Sequence, residues 1–221
     1  MKSVARHFEQ LAPRYDRLKR RQAFYNEQLE HLAASLAGDV TAGSVLDLGC
    51  STGRILRSLE LRSGLGVDIS PAMIELASRG APPQLAFRQA DVMAFVPDRA
   101  FDAVICCDVI EHLPDYRALL ERLRQYPGNP RIVLTWPNPR WFPAMRVGEL
   151  LRLKTPEGRL FGRSLRTVAR TAVECGLRVV RSGYRLLLPV PVPWLTDTLN
   201  HWHRRGLLRR WGLIQYLVLS K

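Results

Sequence analysis

The residues of this chain whose types and spacing suit chemistry gather between Val45 and Asp68. Val45-Leu46-Asp47-Leu48 is an apolar run carrying one acid, and Gly49-Cys50-Ser51-Thr52-Gly53 follows it as a turn. Open α/β sheets bind ligands beyond the carboxyl ends of their strands, where a strand passes through such a turn into a helix. Glycine at positions 49 and 53 lets the backbone approach a ligand closely or take a positive φ. A second acid, Asp68, stands near the end of the next apolar segment, Gly64–Ile69. A carboxylate there can accept hydrogen bonds from both hydroxyls of a ribose.

Two details separate the ribose-bearing ligands. The turn lacks the G-x-G-x-x-G pattern that lays a helix N-terminus on a pyrophosphate, because Cys50, Ser51 and Thr52 lie between its glycines. Asp47, just before the turn, would repel a pyrophosphate but suits a cofactor with an ammonium and a sulfonium. S-adenosylmethionine is therefore favoured over a nicotinamide dinucleotide.

The elements that must position these residues follow from hydrophobic periodicity. Val4 to Ala37 has helical spacing with a break near Pro13, and Ser44–Leu48 is the first strand. A helix is expected over Thr52–Leu59, and a second strand runs into Ser70-Pro71, an N-cap with proline at the first helical position. Strands are expected over Gln84–Gln89, Phe101–Cys107 and Arg131–Trp136, with a helix over Pro114–Tyr126. Pro137–Phe161 reads as an irregular insertion. Ser164 then caps a helix to Cys175, Leu177–Leu187 is a sixth strand, Leu188–Arg210 a second insertion and Gln215–Leu219 a last strand. Alternating strands and helices predict an α/β, doubly wound, mostly parallel sheet. Cys106 and Cys107 would point to opposite faces of their strand.

At this point the chain resembles the class I S-adenosylmethionine-dependent methyltransferases, especially the small single-domain group with ubiquinone- and menaquinone-biosynthesis members. VLDLGCSTGRIL is similar to that family's first motif, GVDIS to its second, QADVMAF to its third and FDAVICCDVIEHLPD to its fourth. RIVLTWPNP is similar to the fifth-strand segment and IQYLVLSK to the closing antiparallel strand. The resemblance implies a Rossmann-like methyltransferase fold of seven strands, the last antiparallel. It implies that Asp47, Gly49, Cys50, Ser51 and Gly53 hold the methionine part of the cofactor. Asp68 would then hold the ribose, Ile69 would pack on the adenine, Asp91 would accept from its amino group beside Val92, and Cys107 would line the pocket near the sulfonium. Ser51 departs from the family, which more often has glycine there.

Methyl transfer from a sulfonium needs chiefly an acceptor placed behind the methyl and water excluded. A base is required only for an acceptor that starts protonated, and His112, after the fourth strand, is the candidate. Tyr15 and Tyr25 are candidates to close over the cofactor, or else ordinary core aromatics. His201 and His203, two residues apart, do not face one another on a helix, and no nearby carboxylate or cysteine set completes a metal site. No metal is expected.

The sequence predicts one domain over 1–221, with a helical cap at 1–43 and the insertions 137–161 and 188–210 forming a lid on the acceptor side. The net charge is +13, and all of that excess lies after His112, while residues 44–110 are slightly acidic. The leucines, tryptophans and arginines of 188–211 suit either that lid or a helix lying in a lipid interface. A small-molecule acceptor methylated at oxygen, acidic or lipid-linked, is the leading expectation. An RNA methyltransferase using the basic half, or a non-catalytic cofactor-binding partner subunit, are the alternatives. No run of about 18 apolar residues suggests a membrane span, and the basic start lacks the apolar stretch of a secretory signal. With no disulfide framework in its four cysteines, a cytoplasmic protein, peripheral at the membrane if 188–211 binds lipid, is expected.

Overall fold

A computed structural model describes residues 23–38, 43–151, 158–192, 194, 196, 198–200 and 207–221. The elements run α1 (Ala23–Ala37), β1 (Ser44–Leu48), α2 (Arg54–Arg57), β2 (Ser63–Asp68), α3 (Pro71–Ser78), β3 (Leu85–Gln89) and β4 (Ala103–Cys107). They continue as α4 (Tyr116–Gln125), β5 (Arg131–Pro137), α5 (Phe142–Leu150), α6 (Leu165–Glu174), β6 (Arg178–Arg185) and β7 (Ile214–Ser220).

The strands form one seven-stranded sheet in the order β3-β2-β1-β4-β5-β7-β6. The first five are parallel to their neighbours, and β7 runs antiparallel to both β5 and β6. The order reverses between β1 and β4, which opens a crevice beyond their carboxyl ends. The doubly wound sheet with its antiparallel last strand is the fold expected from the sequence.

Side-chain alternation divides the core between the two faces. Leu46, Leu48, Val104, Cys106, Leu134 and Trp136 pack in one cluster with the apolar sides of α4 and α6. Val45, Ile105, Cys107, Val133 and Tyr216 pack on the other face with Leu29, Leu32 and Leu36 of α1. Cys106 and Cys107 therefore do enter opposite faces. Of the expected N-terminal helix, residues 23–37 are seen as α1, while Pro13 and Tyr15 lie outside the described residues, as do His201 and His203.

Two expectations are corrected. The helix expected over Thr52–Leu59 is the four-residue α2. Gly53 sits at its N-cap with φ 74°, which keeps Thr52 out of the helix, and the chain must turn after Ser58 to enter β2. The insertion 137–161 is not wholly irregular, because α5 forms within it. None of the residues of α5 is buried, so it carries no apolar stripe that periodicity could register.

Two buried amides fasten the insertions to the sheet. Gln215 on β7 accepts from the Leu165 N–H at 2.7 Å and donates to the carbonyls of Arg163 (2.8 Å) and Pro137 (3.3 Å). Asn138, just past β5, donates to the carbonyls of Arg210 (3.1 Å) and Gly212 (2.9 Å). Both insertions thus leave and rejoin the sheet at the end where β1, β2 and β4 terminate. Gln215→Leu strips a hydrogen-bond partner from three backbone groups and should lower stability by about 2–3 kcal/mol in urea unfolding.

Candidate active site at the carboxyl ends of β1, β2 and β4

The turn after β1 is built on a backbone fold-back. The N–H groups of Gly49 and Cys50 both donate to the Val67 carbonyl of β2, at 2.7 and 3.0 Å. Gly49 has φ 81°, and a Cβ on it would stand 2.3 Å from Cγ2 of Val109, so both its conformation and its neighbour demand glycine. Gly53 is fixed in the same way, with φ 74° and the Phe87 ring 2.6 Å from where a Cβ would lie. Ser51 adopts φ 49°, a left-handed conformation costly for a residue with a Cβ.

Asp68 ties this turn to the next loop. Its Oδ2 accepts from the Ser51 N–H at 2.9 Å and its Oδ1 from the Ser70 N–H at 2.9 Å. Ser70 in turn caps α3 by accepting from the Met73 N–H. Each carboxylate oxygen has capacity for a further acceptor interaction, so the backbone bonds are compatible with a diol. Burial raises the Asp68 pKa, and the backbone N–H groups of Ser70, Ser51 and Ile69 oppose that rise.

Asp47 lies on the α1 face of β1 and is buried. Among the described residues its Oδ2 meets no hydrogen-bond donor. Burial, and then the charge of Asp68, push its pKa up to about 7. A buried carboxylate with an orphaned oxygen is costly unless a cation or donor joins it. Asp47 is relieved either by holding a proton or by a cation or donor brought to it.

The remaining expected residues fall along the same edge. The Ala90 N–H donates to the Asp68 carbonyl at 2.9 Å, holding the loop after β3 against the end of β2. In that loop Asp91 Oδ1 accepts from the Met93 N–H at 2.8 Å, so Asp91 caps its own turn, with Val92 buried beside it. Ile69 is half-buried after Asp68. Burial pushes the Cys50 and Cys107 thiols well above their usual range, so both are neutral and inert as nucleophiles. His112 is half-buried in a short 3-10 turn, Ile110–His112, immediately beyond β4.

One residue was missed. Asp108 follows β4 with φ 54°, and its carboxylate accepts from the Tyr25 hydroxyl of α1 at 2.8 Å and from the Thr135 hydroxyl at 3.4 Å. Its N–H donates to the Thr135 carbonyl. Tyr25, a candidate to close over the site, thus reaches the end of β4. The signal was present, since Asp108 repeats the placement of Asp68 at a strand's carboxyl end. Among the described residues, no group of three or more His, Cys, Asp or Glu is arranged to hold a metal ion.

Residues 45–126 match the family described as "Methyltransferase domain". Residues 45–126 therefore carry a methyltransferase domain, similar to those of the class I S-adenosylmethionine-dependent methyltransferases. The chain is 33% identical over 143 residues to demethylmenaquinone methyltransferase of Thermus thermophilus, covering 60% of this chain and 65% of that protein. It is 41% identical over 98 residues to trans-aconitate 2-methyltransferase of an Enterobacter species, covering 42% of this chain and 38% of that one. The matched region is thus less than two thirds of either relative's length. In fold it resembles magnesium protoporphyrin IX methyltransferase of Synechocystis PCC 6803, solved with SAH bound. That likeness has a TM-score of 0.69 at 17% identity and covers 100% of this chain and 99% of the other.

The Ser51 geometry yields a direct test on the unliganded domain. Ser51→Gly relieves the left-handed strain and should raise unfolding stability by about 1 kcal/mol, read as a higher urea midpoint at unchanged slope.

Proposed function

We propose that this chain binds S-adenosylmethionine at the carboxyl ends of β1, β2 and β4 and methylates a small-molecule acceptor at oxygen. The observation that carries the reading is the buried, orphaned Asp47 carboxylate beside the Asp68 loop tie. Asp47 and the turn Gly49, Cys50, Ser51 and Gly53 would hold the methionine part. Asp68 would accept from the ribose hydroxyls, Ile69 and Val92 would flank the adenine, and Asp91 would accept from its amino group. Cys107, neutral and compact, would line the wall near the sulfonium. When bound, the cofactor supplies an activated methyl group.

The chain's own groups then have to place the acceptor and manage one proton. His112 stands beyond β4, where it would take the proton that a hydroxyl acceptor releases as its oxygen is methylated. Asp108, fixed by Tyr25 and Thr135, shapes the same end of β4. The insertion 137–161 reaches this turn, since the Phe161 N–H donates to the Glu111 carbonyl at 2.7 Å and Arg163 donates to the carbonyls of Leu113 and Pro114. That contact supports a lid made by 137–161 and 188–210, which would exclude water from the acceptor. Both relatives described above are named for small-molecule acceptors, which supports that class over RNA.

Calorimetric titration with S-adenosylmethionine and with its demethylated product tests the cofactor assignment. Micromolar binding should weaken by about tenfold or more in Asp68→Ala, through loss of charged hydrogen bonds. Asp68→Asn, which keeps one oxygen acceptor, separates that loss from a collapsed loop. Absence of binding to folded protein would sink the proposal.

The Asp47 carboxyl makes the binding pH-dependent. Its raised pKa means that the unliganded fold holds a proton which the unfolded chain releases, so unliganded stability falls as pH rises from about 4 to about 7. A cationic ligand favours the ionised form, so affinity should rise with pH through about 7 and level off above it. Asp47→Asn should flatten that profile. A profile equally steep in the variant would assign the titration to another group.

Oxygen methylation is tested separately. His112→Ala should slow turnover of a phenolic acceptor by about a hundredfold while leaving cofactor affinity unchanged. Unaltered turnover would remove the histidine from the chemistry.

A further inference from the structure

We infer that the face formed by α5 and the second insertion docks on an anionic lipid bilayer, which places the acceptor end of the sheet against the membrane surface. The inference does not depend on the cofactor assignment. It rests on where two exposed segments emerge and on what they expose.

Both segments leave the same end of the sheet. Pro137 of β5 pairs with Ile214 of β7, and Ile214 pairs with Arg185 of β6, so the first insertion leaves β5 beside the point where the second, which starts from β6, enters β7. They are joined just beyond those strands. The Trp141 indole N–H donates to the Trp211 carbonyl at 2.6 Å, and the Arg140 guanidinium lies 5.3 Å from the Trp211 ring centre. This is the end of the sheet that carries Asp68 and Asp108.

What these segments present to solvent is unusual. α5 has no buried residue, and it ends in Leu150, 82% exposed, followed by Leu151, 64% exposed. Val147, one turn earlier, is more than half exposed. In the second insertion Trp194 is 89% exposed, held at the apex of a turn in which Thr196 accepts from the Val192 N–H and donates to the Val190 carbonyl. Exposed apolar groups of this size mark an interaction surface.

Charge selects the partner. Arg140, Arg146, Arg209 and Arg210 are exposed on or beside the same two segments, and Glu149 is the one acid of α5. Basic side chains around leucine and tryptophan match a bilayer with anionic headgroups, the arginines meeting phosphates and the apolar groups entering the acyl boundary. A tryptophan at such a surface takes the interfacial position its amphipathic ring favours. RNA would use the arginines but leave Leu150, Leu151 and Val147 in water, and a second copy of this chain would set arginine against arginine.

Vesicle co-sedimentation of the full chain tests this, with pure phosphatidylcholine against mixtures containing phosphatidylglycerol. Binding should require phosphatidylglycerol, weaken with added salt, and shift Trp emission to shorter wavelength. Leu150→Ser with Leu151→Ser should weaken it about tenfold, and Arg146→Glu with Arg210→Glu should remove the preference for anionic lipid. Circular dichroism and urea unfolding of the same variants check that they fold and leave the catalytic reading to stand or fall by itself. Equal binding to both vesicle types, or vesicle binding untouched by both double variants, would overturn the inference. So would a wild-type chain that ignores vesicles but binds polyuridylate through Arg146 and Arg210, or that dimerises through Leu150 and Leu151.

Discussion

Two buried carboxylates on neighbouring parallel strands, Asp47 and Asp68, govern the carboxyl end of this sheet. The field of one raises the proton affinity of the other. Asp68 is stabilised by the backbone, since the N–H groups of two loops converge on it. Asp47 has no such support. Among the described residues no cationic side chain offsets its burial, so it holds a proton up to about pH 7. The strand reversal between β1 and β4 supplies the opening, and the acids determine what enters it.

The same electrostatics explains why the two halves of the chain differ in sign. The slightly acidic stretch through β4 holds Asp47 and Asp68, while the arginines are spread over α4, α6, β6 and the two insertions. Separation along the sequence becomes separation in space because β5, β6 and β7 lie together at one edge of the sheet.

Much of this was legible in the sequence because local rules and tertiary demands coincide. β1 was read correctly from an apolar run stopped by Asp-Leu-Gly, and α3 from a serine cap before proline, since both signals act within a few residues. α5 escaped detection because periodicity reports burial, and α5 buries nothing. The length of α2 was overestimated because Gly53 looks permissive in sequence, whereas its left-handed conformation delays the helix. The role of Asp108 depends on a hydroxyl 83 residues away, a distance at which no local pattern carries information. Family motifs located the crevice residues, but that Gly49 and Gly53 also answer to Val109 and Phe87 needed coordinates.

The amides of Asn138 and Gln215 have a wider consequence. Both hold main-chain atoms, and Gln215 does so by gripping Arg163 and Leu165 at the start of α6 rather than any side chain of the loops. The sequence between the fastened points is therefore free to drift, lengthen or be exchanged without loosening the sheet beneath it. Such an arrangement separates inheritance of the scaffold from inheritance of selectivity. A lineage built on it can rewrite two segments while the turns after β1 and β2 stay as they were.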